Sequence, residues 1–212
     1  DQIAQANQKI EQLDQLVKSR FVEMFGDGDA YPQLAIGEKL KTSSGGTPSS
    51  KRKSDYYDGG TIPWLTSGEV FQDCISKTKN YITQLGYDNS SAKWTPANSV
   101  VIAMYGATAG KSGLLAIRAT TNQAVCSIWP NDYFVPEYLL HAIRQKEQWM
   151  IDQTAGGAQP NISQAIIKKM TIAQPPIKMQ QEFLSFVQQV DKLKFIAQQQ
   201  IEKLQELYDS LA

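Results

Sequence analysis

Apolar residues in the C-terminal stretch QQEFLSFVQQVDKLKFIAQQQIEKLQELYDSLA recur every seven positions: Phe183, Val190, Ala197, Leu204 and Leu211 form one series. Phe186, Leu193 and Leu207 form a second series offset by three, with Gln200 as a polar interruption. The stretch holds neither Gly nor Pro, and an a/d seam kept for about four heptads predicts a coiled-coil helix. At ~1.5 Å per residue it is roughly 45 Å long, too long and too narrowly striped for an ordinary core helix. The N-terminus repeats the design. Ile3, Ile10, Val17 and Met24 make one series and Ala6 and Leu13 the other, until Gly26 and Gly28 stop the pattern. Shifted by 191 positions, residues 6–19 match 197–210 at seven of fourteen places, which suggests an internal repeat.

The pattern changes between these helices. Short apolar runs, TIPWL (61–65), VVIAMY (100–105), AVCSIW (124–129) and MTIAQ (170–174), read as strands. Helical periodicity returns from Pro136 to Gly156, and a short helix is expected at SQAIIKKM with Ser163 as N-cap. The predicted organisation is α+β: a globular domain of short mixed strands and a few helices over residues 26–180, flanked by coiled-coil helices at 1–25 and 181–212.

Charge adds little globally, because 21 Lys and Arg balance 21 Asp and Glu. Its distribution says more: the middle segment is mildly cationic and the two ends mildly acidic. Between Lys39 and Lys53 lie five cations and no acid, spread around the loop TSSGGTPSS. Backbone N–H groups, hydroxyls and lysines together make the mixture that grips phosphate. Gln159 and Asn161 add amides able to pair with adenine or to hold phosphate.

Catalytic groups are sparse. The single histidine, His141, lies in a helical run among apolar residues without a nucleophile beside it. Cys74 and Cys126 are too far apart in sequence for a CxxC site and read as two thiols of a cytosolic protein, a disulfide being the alternative. One histidine and two distant cysteines do not make a metal site of the usual kind. No apolar stretch approaches the ~20 residues of a membrane span.

MYGATAGKSG (104–113) invites a nucleotide-binding reading, but only three residues separate Gly106 from Gly110, where a P-loop needs four. The next segment, GLLAIRATTNQAVCSIW, reads as strands and not as the helix whose N-terminus would face the phosphates. The loop is expected to be a Gly-rich turn between strands.

Several segments together carry a resemblance: GGTPS (45–49), YYDGGTIPWLTSGEV (56–70), SVVIAMYGATAGKSG (99–113), TNQAV (121–125), GGAQPNIS (156–163) and IIKKMTIAQPP with a QQEF helix after it. In that order, over about 150 residues, they resemble the target-recognition domain of DNA specificity subunits of type I restriction–modification enzymes. The flanking helices resemble that family's spacer helices, and SRFVEMFGD resembles a junction between a spacer helix and a second recognition domain.

The resemblance implies a non-catalytic subunit that recognises one half of a split site in double-stranded DNA. With one recognition domain, the chain is expected to be a half-subunit or the second half of a longer protein. Two copies joined through the long helices would restore the full arrangement. Ile10, Leu13, Val17, Phe183, Phe186, Val190, Leu193, Leu204, Leu207 and Leu211 are the expected seam. The partners implied are methyltransferase (modification) subunits and a restriction/translocase subunit, and S-adenosylmethionine and ATP are expected only there. The setting is cytoplasmic.

The residues expected to touch DNA, inferred from chemistry and loop placement, are Ser43, Thr47, Ser49, Lys51, Arg52 and Lys53 in the first loop. Ser67 and Glu69, Lys77 and Lys79, and Tyr105, Thr108 and Lys111 complete the set. Two rivals remain at this level: a coiled-coil adaptor with a protein-binding insert, and a P-loop-like nucleotide-binding enzyme or free-standing methyltransferase.

Overall fold

Helix α1 (Gln2–Phe25) ends where Gly26 enters the left-handed region at φ 60°, its N–H reaching back to the Val22 carbonyl at 2.8 Å. The computed structural model describes residues 2–154 and 160–211. The remaining elements are β1 (Gln33–Ala35), α2 (Ile36–Lys39), β2 (Thr42–Ser44), α3 (Lys53–Tyr56), β3 (Ile62–Leu65), β4 (Asn80–Ile82) and α4 (Gln84–Asp88). They continue with β5 (Trp94–Thr95), β6 (Ser99–Ala103), β7 (Ser112–Leu115), β8 (Ala119–Thr121), β9 (Val125–Ile128), α5 (Pro136–Gln145) and α6 (Glu147–Asp152). The chain closes with α7 (Gln164–Lys169), β10 (Thr171–Ala173) and α8 (Ile177–Leu211). It divides into two units: 1–31 with 175–212, and 32–174.

The first unit is an antiparallel helix pair. The Phe183 ring meets those of Phe21 and Phe25 at centroid distances of 5.4 and 5.8 Å, while Lys194 pairs with Asp14 half-way along α1. The seam differs from the expected one. On α8 the buried apolar positions are Phe183, Val187, Val190, Ala197 and Ile201, with Lys194 half-buried in line with them. The second series is therefore offset by four, not three. Leu193 and Leu207 are 46% and 58% exposed, and Phe186 lies half-buried with the Arg20 guanidinium 5.8 Å from its ring centre. Sequence pattern prefers Leu193 over Lys194 for the seam. The ion pair to Asp14 makes the lysine acceptable there, since a charge leaving water must meet its counter-charge. Of the first series, Phe183 and Val190 are buried and Leu204 half-buried, while the Leu211 side chain lies outside the described ones. On α1, Leu13 and Val17 are buried and Ile10 half-buried. Helix α8 also begins at Ile177, directly after Pro175 and Pro176, earlier than expected.

The second unit is built on three sheets. Strands β1 and β10 pair antiparallel. An antiparallel sheet runs β2–β9–β6–β7, and a mixed sheet runs β4–β3–β8–β5 with β3 and β8 parallel. All of β6, β7, β8 and β9 is buried, which explains their unbroken apolar or small-residue runs. Leu65, Val70, Ile75, Val101, Leu115 and Val125 form a core shared by the two larger sheets. The helical run after Pro136 breaks at Lys146 into α5 and α6. Ser163 caps α7 as its composition predicts, its Oγ accepting the Ile166 N–H at 3.2 Å.

Candidate nucleic-acid interface

Strands β3 and β8 run parallel and so release their next residues, Thr66 and Asn122, at the same end of the mixed sheet. In the antiparallel sheet, register sets Ile102 against both Ser112 and Cys126, and Ser44 against Cys126. The loop after β2, the hairpin between β6 and β7 and the turn into β9 therefore also share an end.

Hydrogen bonds then tie these loops into one cluster. The Gly46 N–H donates to the Thr121 carbonyl at 2.9 Å, the Thr47 hydroxyl donates to the Gln123 side chain, and the Asn122 N–H donates to the Leu65 carbonyl at 3.0 Å. Thr108 Oγ1 donates to the Ser67 carbonyl at 2.8 Å. Met104 takes part twice: its N–H donates to the Ala124 carbonyl at 2.8 Å and its carbonyl accepts the Ile162 N–H at 2.7 Å. Segments 45–47, 65–67, 104–108, 121–124 and 162, far apart in sequence, are thus locked together.

Glycine makes the first of these loops possible. A Cβ on Gly45 would lie 1.8 Å from the Thr121 carbonyl oxygen, and one on Gly46 would lie 2.0 Å from Ser91 Oγ. The Gly46 carbonyl in turn accepts the indole N–H of Trp64 at 3.0 Å, and Tyr57 Oη donates to the Pro48 carbonyl at 2.5 Å. GGTPS is a clamped loop. It leads through a single 3-10 turn, Ser50–Arg52, into α3, leaving Ser49, Lys51 and Lys53 exposed. Arg52 is exposed but occupied: it pairs with Asp55 at 2.8 Å and donates to Tyr56 Oη at 3.0 Å, and the hydrogen bond to Asp55 raises its pKa.

MYGATAGKSG is the β6–β7 hairpin loop, with Gly106 and Gly110 at φ 90° and 85°. Strand β7 comes next, where a P-loop would open a helix, so the loop lacks P-loop geometry and the P-loop-like alternative has no support. Tyr105 and Thr108 are half-buried, and burial pushes the Tyr105 hydroxyl above its ordinary pKa. Lys111 is bound to Glu147 of α6 at 2.7 Å and so meets its own chain's carboxylate.

Two expected contacts change character. Glu69 is 3% exposed and serves the protein's own backbone: its Oε1 accepts from Thr66 N and Oγ1 at 3.2 and 2.9 Å, and its Oε2 accepts from Lys79 N at 2.7 Å. It is a strut that fixes the TSGE turn and the Lys77–Lys79 segment, and a buried carboxylate with both oxygens engaged turns no free edge toward a base. Ser43 is half-buried within β2, its carbonyl accepting from Ser127 Oγ at 3.0 Å. Ser67 is half-buried beside the hairpin, and Lys77 and Lys79 are both exposed. Gln159 lies outside the described residues, while Asn161 is exposed next to the locked Ile162. Gln123 and Lys93 are not singled out by sequence pattern. Gln123 is exposed in the cluster, and register along β5 and β8 brings Lys93 level with Thr121. A lone exposed lysine or glutamine has no periodic signal: strand pairing places Lys93, and the Thr47 hydrogen bond places Gln123.

These features define a class of protein: an α+β unit that displays a welded set of polar, Gly-rich loops at its strand ends, joined to a unit of two long antiparallel helices. A family model described as the type I restriction modification DNA specificity domain matches residues 34–206, and the chain belongs to that family. It is 29% identical over 163 residues to the EcoR124I/EcoR124II specificity subunit of Escherichia coli, covering 74% of this chain and 40% of that protein. Among solved structures, the HsdS subunit of Thermoanaerobacter tengcongensis superposes with a TM-score of 0.65 at 17% identity, over 96% of this chain and 50% of that one. A chain from a study of complex assembly in the type I R-M system gives a TM-score of 0.68 at 18% identity, covering 96% and 51%. The chain spans about half the length, or less, of these relatives.

Proposed function

We propose that this chain is a DNA-sequence-specificity subunit of a type I restriction–modification system, reading one half of a split site with the loop cluster of residues 32–174. The observation that carries the reading is the welding of five motif segments into one polar cluster beside the exposed cations Lys51, Lys53, Lys77 and Lys79. Lysines position a duplex through its phosphates, and fixed amides and hydroxyls between them can read base edges. Ser49, Thr47, Gln123, Asn161 and Tyr105 are the side chains available for that second task. Such a subunit chooses the site and does no chemistry. Methyl transfer from S-adenosylmethionine to an extruded base, and ATP-driven translocation, belong to modification and restriction subunits bound to it in the cytoplasm. The exposed strip of Leu193, Ile196 and Leu207 on α8 suits a second copy, giving a two-fold dimer that reads both halves.

The test is a duplex-binding titration of the full chain, alone and with a type I modification subunit, against salt concentration. Lys51→Ala with Lys53→Ala is expected to weaken binding about tenfold for every sequence and to flatten the log–log salt slope by about 1.8, that is ~0.9 for each phosphate no longer neutralised. Absence of duplex binding by the wild-type assembly, or an unchanged affinity and slope in the double variant, overturns this assignment.

A further inference from the structure

The open edge of the mixed sheet carries a second cationic feature that no motif announces. Strand β5 is its edge strand, with Trp94 paired to Thr120 and Thr95 to Ala119. One step back in register, Lys93 stands level with Thr121, whose carbonyl binds Gly46 and crowds Gly45, so the lysine emerges at the loop-cluster end of β5. Ser91, two residues earlier, packs directly on Gly46. Arg118 leads into β8 at the other end of this pairing, level with Pro96, and reaches back to lay its guanidinium 4.3 Å from the Trp94 ring centre.

The Trp94 platform is itself fixed. Its ring packs on Tyr87 of α4 at 6.0 Å, and α4 packs on α3, where the Thr83 N–H donates to the Tyr56 carbonyl at 2.8 Å and a Cβ on Gly86 would lie 2.6 Å from that same oxygen. Because α3 begins at Lys53, a continuous chain of contacts runs from the first cationic loop through Tyr56, Thr83, Tyr87 and Trp94 to Arg118. Lys93 and Arg118 are both exposed, and no carboxylate among the described residues lies within ion-pair distance of either. Arg52, Lys111 and Arg144 are in contrast each held by an acid of the same chain. A guanidinium stacked on an indole keeps its N–H edge turned outward while its rotamer freedom is already spent, which suits it to phosphate.

We propose that Lys93 and Arg118 form a second phosphate-binding track along the β5 edge, extending the DNA interface away from the Lys51–Lys53 loop. The proposal rests on the DNA-binding reading above. Its test compares the salt dependence of duplex binding for wild type, Lys93→Ala, Arg118→Ala and Arg118→Lys, with Lys9→Ala on α1 as a charge-matched control. Each alanine variant on the edge is expected to weaken binding several-fold for random and site-bearing duplexes alike and to lower the salt slope by about 0.9. Arg118→Lys is expected to keep the slope and lose affinity, because lysine retains the charge without the planar stack. A lower melting temperature in Arg118→Ala with affinity and slope unchanged would make the stack purely structural and overturn the proposal, as would an equal change in Lys9→Ala. If wild type itself binds no duplex, the DNA-binding reading fails instead, so the two failures are distinct.

Discussion

In the helical unit each buried or half-buried seam residue lies three or four positions from the next, whereas in the strand-rich unit Gly45 is crowded by Thr121 and Ser67 is held by Thr108. Both units bury aromatic and aliphatic side chains. They differ in how the contacts are laid out: Phe21 with Phe183 and Asp14 with Lys194 are successive rungs along one helix seam, whereas in the loop cluster one segment touches several others. The helix pair is a nearly linear arrangement in which a substitution acts locally, while the loop cluster is a network in which one atom displaces several segments. The surface proposed to bind a variable target is therefore built on the part of the molecule least tolerant of backbone change and most tolerant of change in outward side chains.

The strongest challenge to that contrast is Gly45→Ala. With a backbone oxygen 1.8 Å from the new Cβ, the loop or β8 must move, and a loss of more than about 4 kcal/mol in the strand-rich unit is expected, read as a large drop in melting temperature or soluble yield. A near-wild-type melt would show that the loops are not welded. A smaller effect separates the two possible seams of α8. Val187→Ala is expected to cost about 2 kcal/mol and Leu193→Ala less than about 0.5 in chemical denaturation monitored by helical signal. The reverse order would restore the offset-by-three seam.

A pH-dependent effect concerns Cys126, whose burial in β9 pushes its thiol up from 9.0 to about 12. A raised folded-state pKa gives stability that is complete below about pH 9 and declines toward pH 12, because the unfolded thiol ionises first. Urea midpoints of the strand-rich unit should therefore fall between those values, and Cys126→Ser should flatten that decline. An unchanged alkaline profile in the variant would remove the thiol as its source.

Much of the fold is legible along the chain. Unbroken apolar runs locate β3, β6, β9 and β10, Gly26 marks the end of α1, and Ser163 marks the start of α7, because each depends on propensity or capping within a few residues. Short elements such as β1, β2 and β5 are not legible: a strand of two or three residues with no apolar run around it has too little pattern to rise above its surroundings. In the candidate site, Lys51 and Lys53 are found from composition, since an uninterrupted cationic run survives in any fold. Glu69 is misread because acidity predicts exposure unless a partner is known, and its three donors come from Thr66 and from Lys79, ten residues on.

Sequence by itself determined that two long helices flank an α+β domain, that GGTPS and MYGATAG form loops, and which family's motifs they match. Tertiary structure alone decided that Lys194 and not Leu193 enters the helix seam, that Glu69 faces inward, and that the Arg118 guanidinium lies over Trp94 of the edge strand that Lys93 leads into. Periodicity, capping and glycine conformation act through neighbouring residues and are written along the chain, whereas the pairing of a charge or the register of a strand depends on a partner whose position the fold alone supplies.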